Sequence, residues 1–253
     1  MCSTSSLLRL CILSISLLLG ADLQAGRFPQ PITEGEVKRA PHKFMGRIRV
    51  KYPEGNFVGS GTLIKPASVL TAAHLVWDRK EGWATQAWFH RAIHGSSPAL
   101  SVTRSSWVKI LGGYQQQAQQ YGPSSPLAFE RDMAAILLPS APAQGQHAPW
   151  LANSGLLIDN SAKMSMGYGA YYHSGLQQLR AVPTTPYYQS NGGYYLNDSI
   201  ATESGMSGGP VWAFSNGQYH EVAVVVSGDY FGTSSGVRAI DTKAFNFINR
   251  HLY

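Results

Sequence analysis

Three residues of the sequence have the types and neighbours that acyl transfer needs. His74 closes Thr71-Ala72-Ala73-His74 behind an apolar run, and Asp132 immediately precedes the apolar stretch Met133–Leu138. Ser207 lies in Gly205-Met206-Ser207-Gly208-Gly209-Pro210. A serine hydroxyl is almost un-ionised at neutral pH, so it attacks only when a neighbouring base takes its proton. Neutral imidazole, with an ordinary pKa of about 6.5, suits that task. A carboxylate on the other ring nitrogen holds the imidazole in one tautomer. The tetrahedral intermediate then needs backbone N–H groups aimed at its oxyanion, and glycines permit such tight backbone. The N–H groups of Gly205 and Ser207 are the candidates.

Each segment alone has a plainer reading: a Gly/Ser loop, a half-buried histidine, a charge at a strand edge. The ordered set is more specific. Its members lie 58 and 75 residues apart (132 − 74 and 207 − 132), far enough to sit on different loops of two packed halves. Asp78, Asp159 and Asp229 are rival acids.

The elements that must position these residues are short and turn-rich. Ile48, Val50 and Tyr52 alternate with Arg47, Arg49 and Lys51, which predicts a half-buried strand. Pro53–Asn56 is a turn, Phe57 begins the return strand, and Thr62–Ile64 and Ser68–Thr71 are short strands. Met133–Leu138, Val211–Phe214 and Val222–Val226 are further strands, in a chain with 26 glycines and 14 prolines. This pattern predicts a β-barrel or sandwich in two halves, joined by a Pro/Ala/Gln-rich linker at 140–153. Residues 112–126 are low in complexity and read as an exposed loop without function. Near the C-terminus the period changes: Asp241 or Thr242 caps a helix with Phe245, Ile248 and Leu252 on one face.

Composition agrees. Of 253 residues 44% are hydrophobic and 13% charged, which excludes global disorder, coiled coils and charged tails. The net charge of +6 is scattered, and no nucleic-acid motif is present. Residues 1–25 read as a signal peptide, with Arg9, an apolar run from Leu10 to Leu19, and small residues up to Ala25. That run is too short to span a bilayer, so a secreted product, extracellular or periplasmic, is expected. Cys2 and Cys11 both lie in the leader, so the mature chain is expected to hold no thiol, disulfide or Cys-based metal site, and its melting temperature to ignore reductant. No cofactor or metal is expected. Residues 26–43, polar and Pro-rich, read as a flexible arm or pro-segment.

The blocks GSGTLIKPASVLTAAH (59–74), DMAAILL (132–138) and SGMSGGPVW (204–212) resemble those of trypsin-like (chymotrypsin-fold) serine proteases. FMGRIRVKYPEGNFVGSGTLI (44–64), GYGA (167–170) and the lack of mature cysteines are most similar to the bacterial glutamyl endopeptidase (V8-like) branch. The resemblance implies an all-β fold: two six-stranded antiparallel β-barrels packed together, at 44–140 and 141–253, with a C-terminal α-helix. It implies a monomeric secreted serine endopeptidase acting on proteins or peptides, without nucleic acid or stable membrane insertion. His74 would be the base, Asp132 its orienting acid and Ser207 the nucleophile, with Gly205 and Ser207 forming the oxyanion hole. Ala201, Thr202, Val226, Ser227 and Gly228 would bind substrate.

Three positions depart from the pattern. Met206 stands where trypsin-type zymogens carry an acid, so no ion-pair switch can operate there. The pocket base holds Ala201, which gives no reason for cleavage after Lys or Arg. Thr202 fits the V8-like preference for acidic residues, but Val226 stands where that branch has a histidine, and nearby His220 reads as a surface residue. A substrate carboxylate would be buried unpaired, so acidic specificity is not expected. Ser227–Asp229 would offer a strand edge to the substrate backbone, and Asp229 could favour basic residues. The other reading is a catalytically silent binding module on the same scaffold; the complete set of three residues argues against it. Activity is expected to rise through one ionisation of His74 between roughly pH 6 and 7.5.

Overall fold

The computed structural model describes residues 28–170, 174–228 and 234–253. The proposed leader, with Cys2 and Cys11, lies outside the described residues, as does Asp229. The architecture is two curled antiparallel sheets and a C-terminal helix, the two-barrel arrangement expected. The first sheet runs in the order Ser101–Arg104, Gln86–Arg91, Met45–Tyr52, Gly55–Lys65, Ser68–Thr71, Ala134–Leu137, Trp107–Ile110. The second runs Gln30–Pro31, Gln178–Ala181, Lys163–Tyr168, Pro210–Ser215, Gln218–Gly228, Ser235–Ala239, Tyr194–Asn197, Tyr188–Asn191.

Strand alternation emerges as the pattern requires. In Met45–Tyr52, Ile48, Val50 and Tyr52 are buried while Arg49 and Lys51 are exposed. Ala134–Leu137 is buried at every position, because it is sandwiched between two neighbours in its sheet and covered on both faces. The terminal helix, Thr242–His251, is capped by Asp241, whose side chain accepts from Ala244 N. Its buried face holds Phe247 and Ile248, with Leu252 just beyond the helix. Phe245 is 43% exposed and instead packs against Trp150, ring centroids 5.9 Å apart.

Two sequence expectations are corrected. The segment 26–43 is not a loose arm in its described part. Gln30–Pro31 pairs with Leu179–Arg180, Thr33 makes a capping box on the turn Glu34–Val37, and Ile32 and Val37 are buried. These residues carry too few apolar positions to show a period, yet two suffice to dock the segment. Residues 112–126 are not an open loop. Tyr114–Tyr121 is a helix with Tyr114 and Ala118, one turn apart, buried, and Tyr114 meets Trp77 edge-on at 5.9 Å. Its glutamines cover the solvent side, so low complexity hid an amphipathic turn pair. Among the described residues no helix is long and apolar enough to cross a membrane.

One buried acid has no role in any site. Glu221, fully buried opposite Trp212, holds the 140–153 linker through its backbone: its N–H donates to Pro149 O at 3.0 Å and its C=O accepts from Leu151 N at 2.9 Å. Neither carboxyl oxygen has a hydrogen-bond partner. Burial pushes the acid well above the ordinary carboxyl range; Thr62 beside it, without reaching hydrogen-bond geometry, offsets only part of this. The folded state therefore keeps the proton that the unfolded chain releases near pH 4.5. Stability is lost as pH rises above that value, at about 1.4 kcal/mol per pH unit until the folded group ionises. Glu221→Gln removes the loss. Urea unfolding is expected to show the variant gaining on the parent between pH 5 and 7 and matching it near pH 4; a constant difference across that range would refute the assignment.

Candidate active site

Sheet register brings His74 and Asp132 together. Ala134 pairs with Thr71, so the chain emerging from one strand and the chain entering the other meet at the same end of the sheet. Beyond Thr71 the chain makes a single tight turn, Ala73–Leu75, that carries His74. Asp132 is fully buried and accepts twice from the same residue: Oδ1 from the His74 backbone N at 2.9 Å, Oδ2 from His74 Nδ1 at 2.6 Å. Burial of the imidazole lowers its pKa, but the Asp132 charge and hydrogen bond together outweigh that, and the net value is raised above 6.5.

Ser207 arrives from the other barrel. Its backbone C=O accepts from Ser60 N at 2.8 Å, and Gly208 N donates to Val225 O at 2.7 Å. Gly208 has φ +82°, and a side chain there would lie 2.2 Å from both Ser60 O and Thr71 Oγ1, so the barrels meet through a glycine. Gly205 has φ +92°, and a Cβ would lie 2.5 Å from Tyr168 O. Among the described residues neither Gly205 N nor Ser207 N donates to another group, and both residues line the cleft. Ser207 and His74 share two adjoining cavities of about 220 and 660 Å³. No hydrogen bond yet joins Ser207 Oγ to His74; such contacts commonly tighten only around substrate.

Neither Asp78 nor Asp159 is hydrogen-bonded to His74. Asp78 lines both cavities, but its Oδ1 accepts from Lys80 N and Glu81 N in a local turn. Asp159 is engaged with Ser161 and Lys163. Of the expected substrate-binding residues, Thr202, Val226, Ser227 and Gly228 line the larger cavity. Ala201 is not among that cavity's lining residues and is 3% exposed. The Thr202 hydroxyl donates to Ser227 O at 3.2 Å, so it is engaged by the pocket's own backbone. His220, beside Gln218, lies outside both cavities. Pro210 pairs with Val224, so Ser227 and Gly228 extend past their neighbour on that side.

Sequence reading missed several lining residues. Pro123 and Ser124 border the larger cavity, as does Glu203; Tyr52, Phe57 and Glu81 border the smaller. Glu81 and Glu203 lie near the His74 and Ser207 segments in sequence, which does not reveal side-chain direction, and the others carried no such signal. No lysine or arginine lines either cavity among the described residues.

Comparison with known proteins agrees with this geometry. No curated protein sequence matches the chain. Among solved structures, a Glu endopeptidase superposes with TM-score 0.68 at 18% identity, covering 88% of this chain and 96% of its own. A thermostable serine protease from an extremophilic microorganism gives 0.67 at 16%, covering 82% and 96%. The protease Anisep from Arthrobacter nicotinovorans gives 0.64 at 16%, covering 82% and 94%. At these identities the likeness speaks for the fold. The trypsin family profile, however, matches residues 32–250, and the chain therefore belongs to the trypsin family of serine endopeptidases.

Proposed function

We propose that the protein is a secreted endopeptidase that cleaves peptide bonds through an acyl-enzyme on Ser207. The observation that carries this is the double acceptance of His74 by buried Asp132 beside a cavity shared with Ser207. In the first half-reaction His74 Nε2 takes the Ser207 proton while Oγ attacks the scissile carbonyl. The oxyanion forms against the N–H groups of Gly205 and Ser207. His74 then gives its proton to the leaving amine, the C–N bond breaks, and the acyl group stays on Ser207. Water enters, His74 takes its proton as the oxygen attacks the ester, and His74 then returns that proton to Ser207 Oγ as the C–O bond breaks, freeing the carboxylic product and restoring the hydroxyl. Asp132 keeps its charge throughout and stabilises the imidazolium.

Export is read from the leader at 1–25, with barrels over 44–140 and 141–253. Mass spectrometry of the exported protein tests both export and the cleavage site, expected after Ala21 or Ala25. A serine-directed phosphonylating reagent is expected to add one group, on Ser207, and abolish peptide hydrolysis; a folded protein that is neither labelled nor active would refute the mechanism.

The cleft also speaks to substrate choice. Asp78 and Glu81 line one cavity and Asp78 and Glu203 the other, with Thr202 engaged by backbone. An acidic side chain would meet the carboxyl groups of these residues and, among the described residues, no lysine or arginine. Cut sites from a peptide library are expected to be depleted in Asp and Glu on both sides of the scissile bond. Enrichment of Glu before the cut would overturn this reading.

A further inference from the structure

We propose that the Ser60 hydroxyl is a positioning residue for the oxyanion hole, holding the nucleophile loop from the opposite barrel in place of an ion pair beneath it. The inference rests on the acyl-enzyme reading above.

A trans peptide is planar, so its N–H points opposite to its C=O, and fixing one fixes the other. Along the nucleophile loop four successive carbonyls are held. Ser204 O accepts from Ala170 N at 2.6 Å, which turns the Gly205 N–H away from Ala170 and into the cleft. Met206 O accepts from Gly209 N at 2.9 Å, which likewise directs the Ser207 N–H. Ser207 O accepts from Ser60 N at 2.8 Å. The remaining unit, Gly205–Met206, joins the two oxyanion donors and begins at a glycine with φ +92°, the position with most rotational freedom. Its N–H is tied within the loop, Met206 N donating to Glu203 O at 2.9 Å, and its carbonyl is tied to the opposite barrel by a side chain: Ser60 Oγ donates to Gly205 O at 2.7 Å. The same oxygen accepts from Tyr168 N at 2.7 Å, so the hydroxyl uses both roles and its direction is fixed.

Ser60 is well placed to do this. It is fully buried on the long strand Gly55–Lys65, and its own carbonyl accepts from Thr71 Oγ1 at 2.7 Å, the residue that leads into the His74 turn. One residue thus links the histidine segment to the nucleophile loop. Below the loop, Met206 is fully buried against Gly167 and brings no charge. With the ion pair unavailable, hydrogen bonds from the other barrel hold the hole, and its geometry does not wait for a newly cut N-terminus.

Ser60→Ala deletes the hydroxyl and leaves the backbone bond to Ser207 in place. kcat is expected to fall on the order of tenfold to a hundredfold, less than removing a donor outright. KM is expected to stay within about twofold, since the loss falls in the transition state. A peptide aldehyde, whose hemiacetal oxygen enters the hole, is expected to weaken by the same factor as kcat. Ser60→Cys keeps the volume with a weak donor and is expected to fall between; it carries the same measurements if the alanine variant does not fold. Unchanged kcat, or a loss of kcat with undiminished aldehyde affinity, would overturn the proposal. A parent enzyme that no phosphonate labels would instead overturn the acyl-enzyme reading beneath it.

Discussion

Asp132→Asn is expected to lose about ten-thousandfold in kcat while keeping its fold, a magnitude drawn from the same change in a related enzyme. The reason is visible in the two bonds that Asp132 accepts from His74, one from the backbone N–H and one from Nδ1. An asparagine has one acceptor and one donor face. If its oxygen keeps the backbone N–H, its NH₂ donates to Nδ1 and forces the proton onto Nε2, which can then no longer accept from Ser207. If it turns round, two donors face each other at the His74 backbone. The pH profile separates this from general damage. In the parent, activity rises as His74 loses its proton, at a pH above the ordinary 6.5 because Asp132 outweighs burial. Without that charge burial alone acts, so the acid limb of the residual kcat/KM is expected to move to lower pH. Near-normal turnover would show that another acid holds His74, with Asp78, which lines the same cavities, the first to examine.

Ser207→Ala is expected to cost more, on the order of a millionfold in kcat, as removing the nucleophile does in other serine proteases. The change removes one oxygen and leaves the scaffold alone, since the backbone bond from Ser60 N to Ser207 O does not involve the side chain. Peptide binding is therefore expected to persist, measurable by calorimetry, while phosphonylation disappears. This variant also tests the silent-module reading. Such a protein would keep its full biological activity in Ser207→Ala, an outcome that would overturn the endopeptidase mechanism.

Much of the site was legible in the chain because each member carries its own local signature. His74 and Asp132 flank apolar strands that needed only an antiparallel register, Ala134 against Thr71, to meet. Ser207 lies among glycines whose positive φ angles no other residue would adopt cheaply. Strands such as Met45–Tyr52 showed their period because one face is buried and the other wet. The segments 26–43 and 112–126 were misread because docking there depends on pairs of residues, Ile32 with Val37 and Tyr114 with Ala118, too sparse to set a period.

The sequence by itself determined which groups could react, their order, and a turn-rich β fold in two halves, because these follow from local patterns and side-chain chemistry, while the two barrels were implied by the family resemblance. Tertiary structure alone decided how they are held and what they face. It placed Ser60 Oγ on Gly205, 145 residues away, engaged the Thr202 hydroxyl with Ser227, and set Asp78, Glu81 and Glu203 along the cleft. Hydrogen bonds reach only about 3 Å, so whether distant residues make one depends on the packing of the two barrels, which no local pattern encodes.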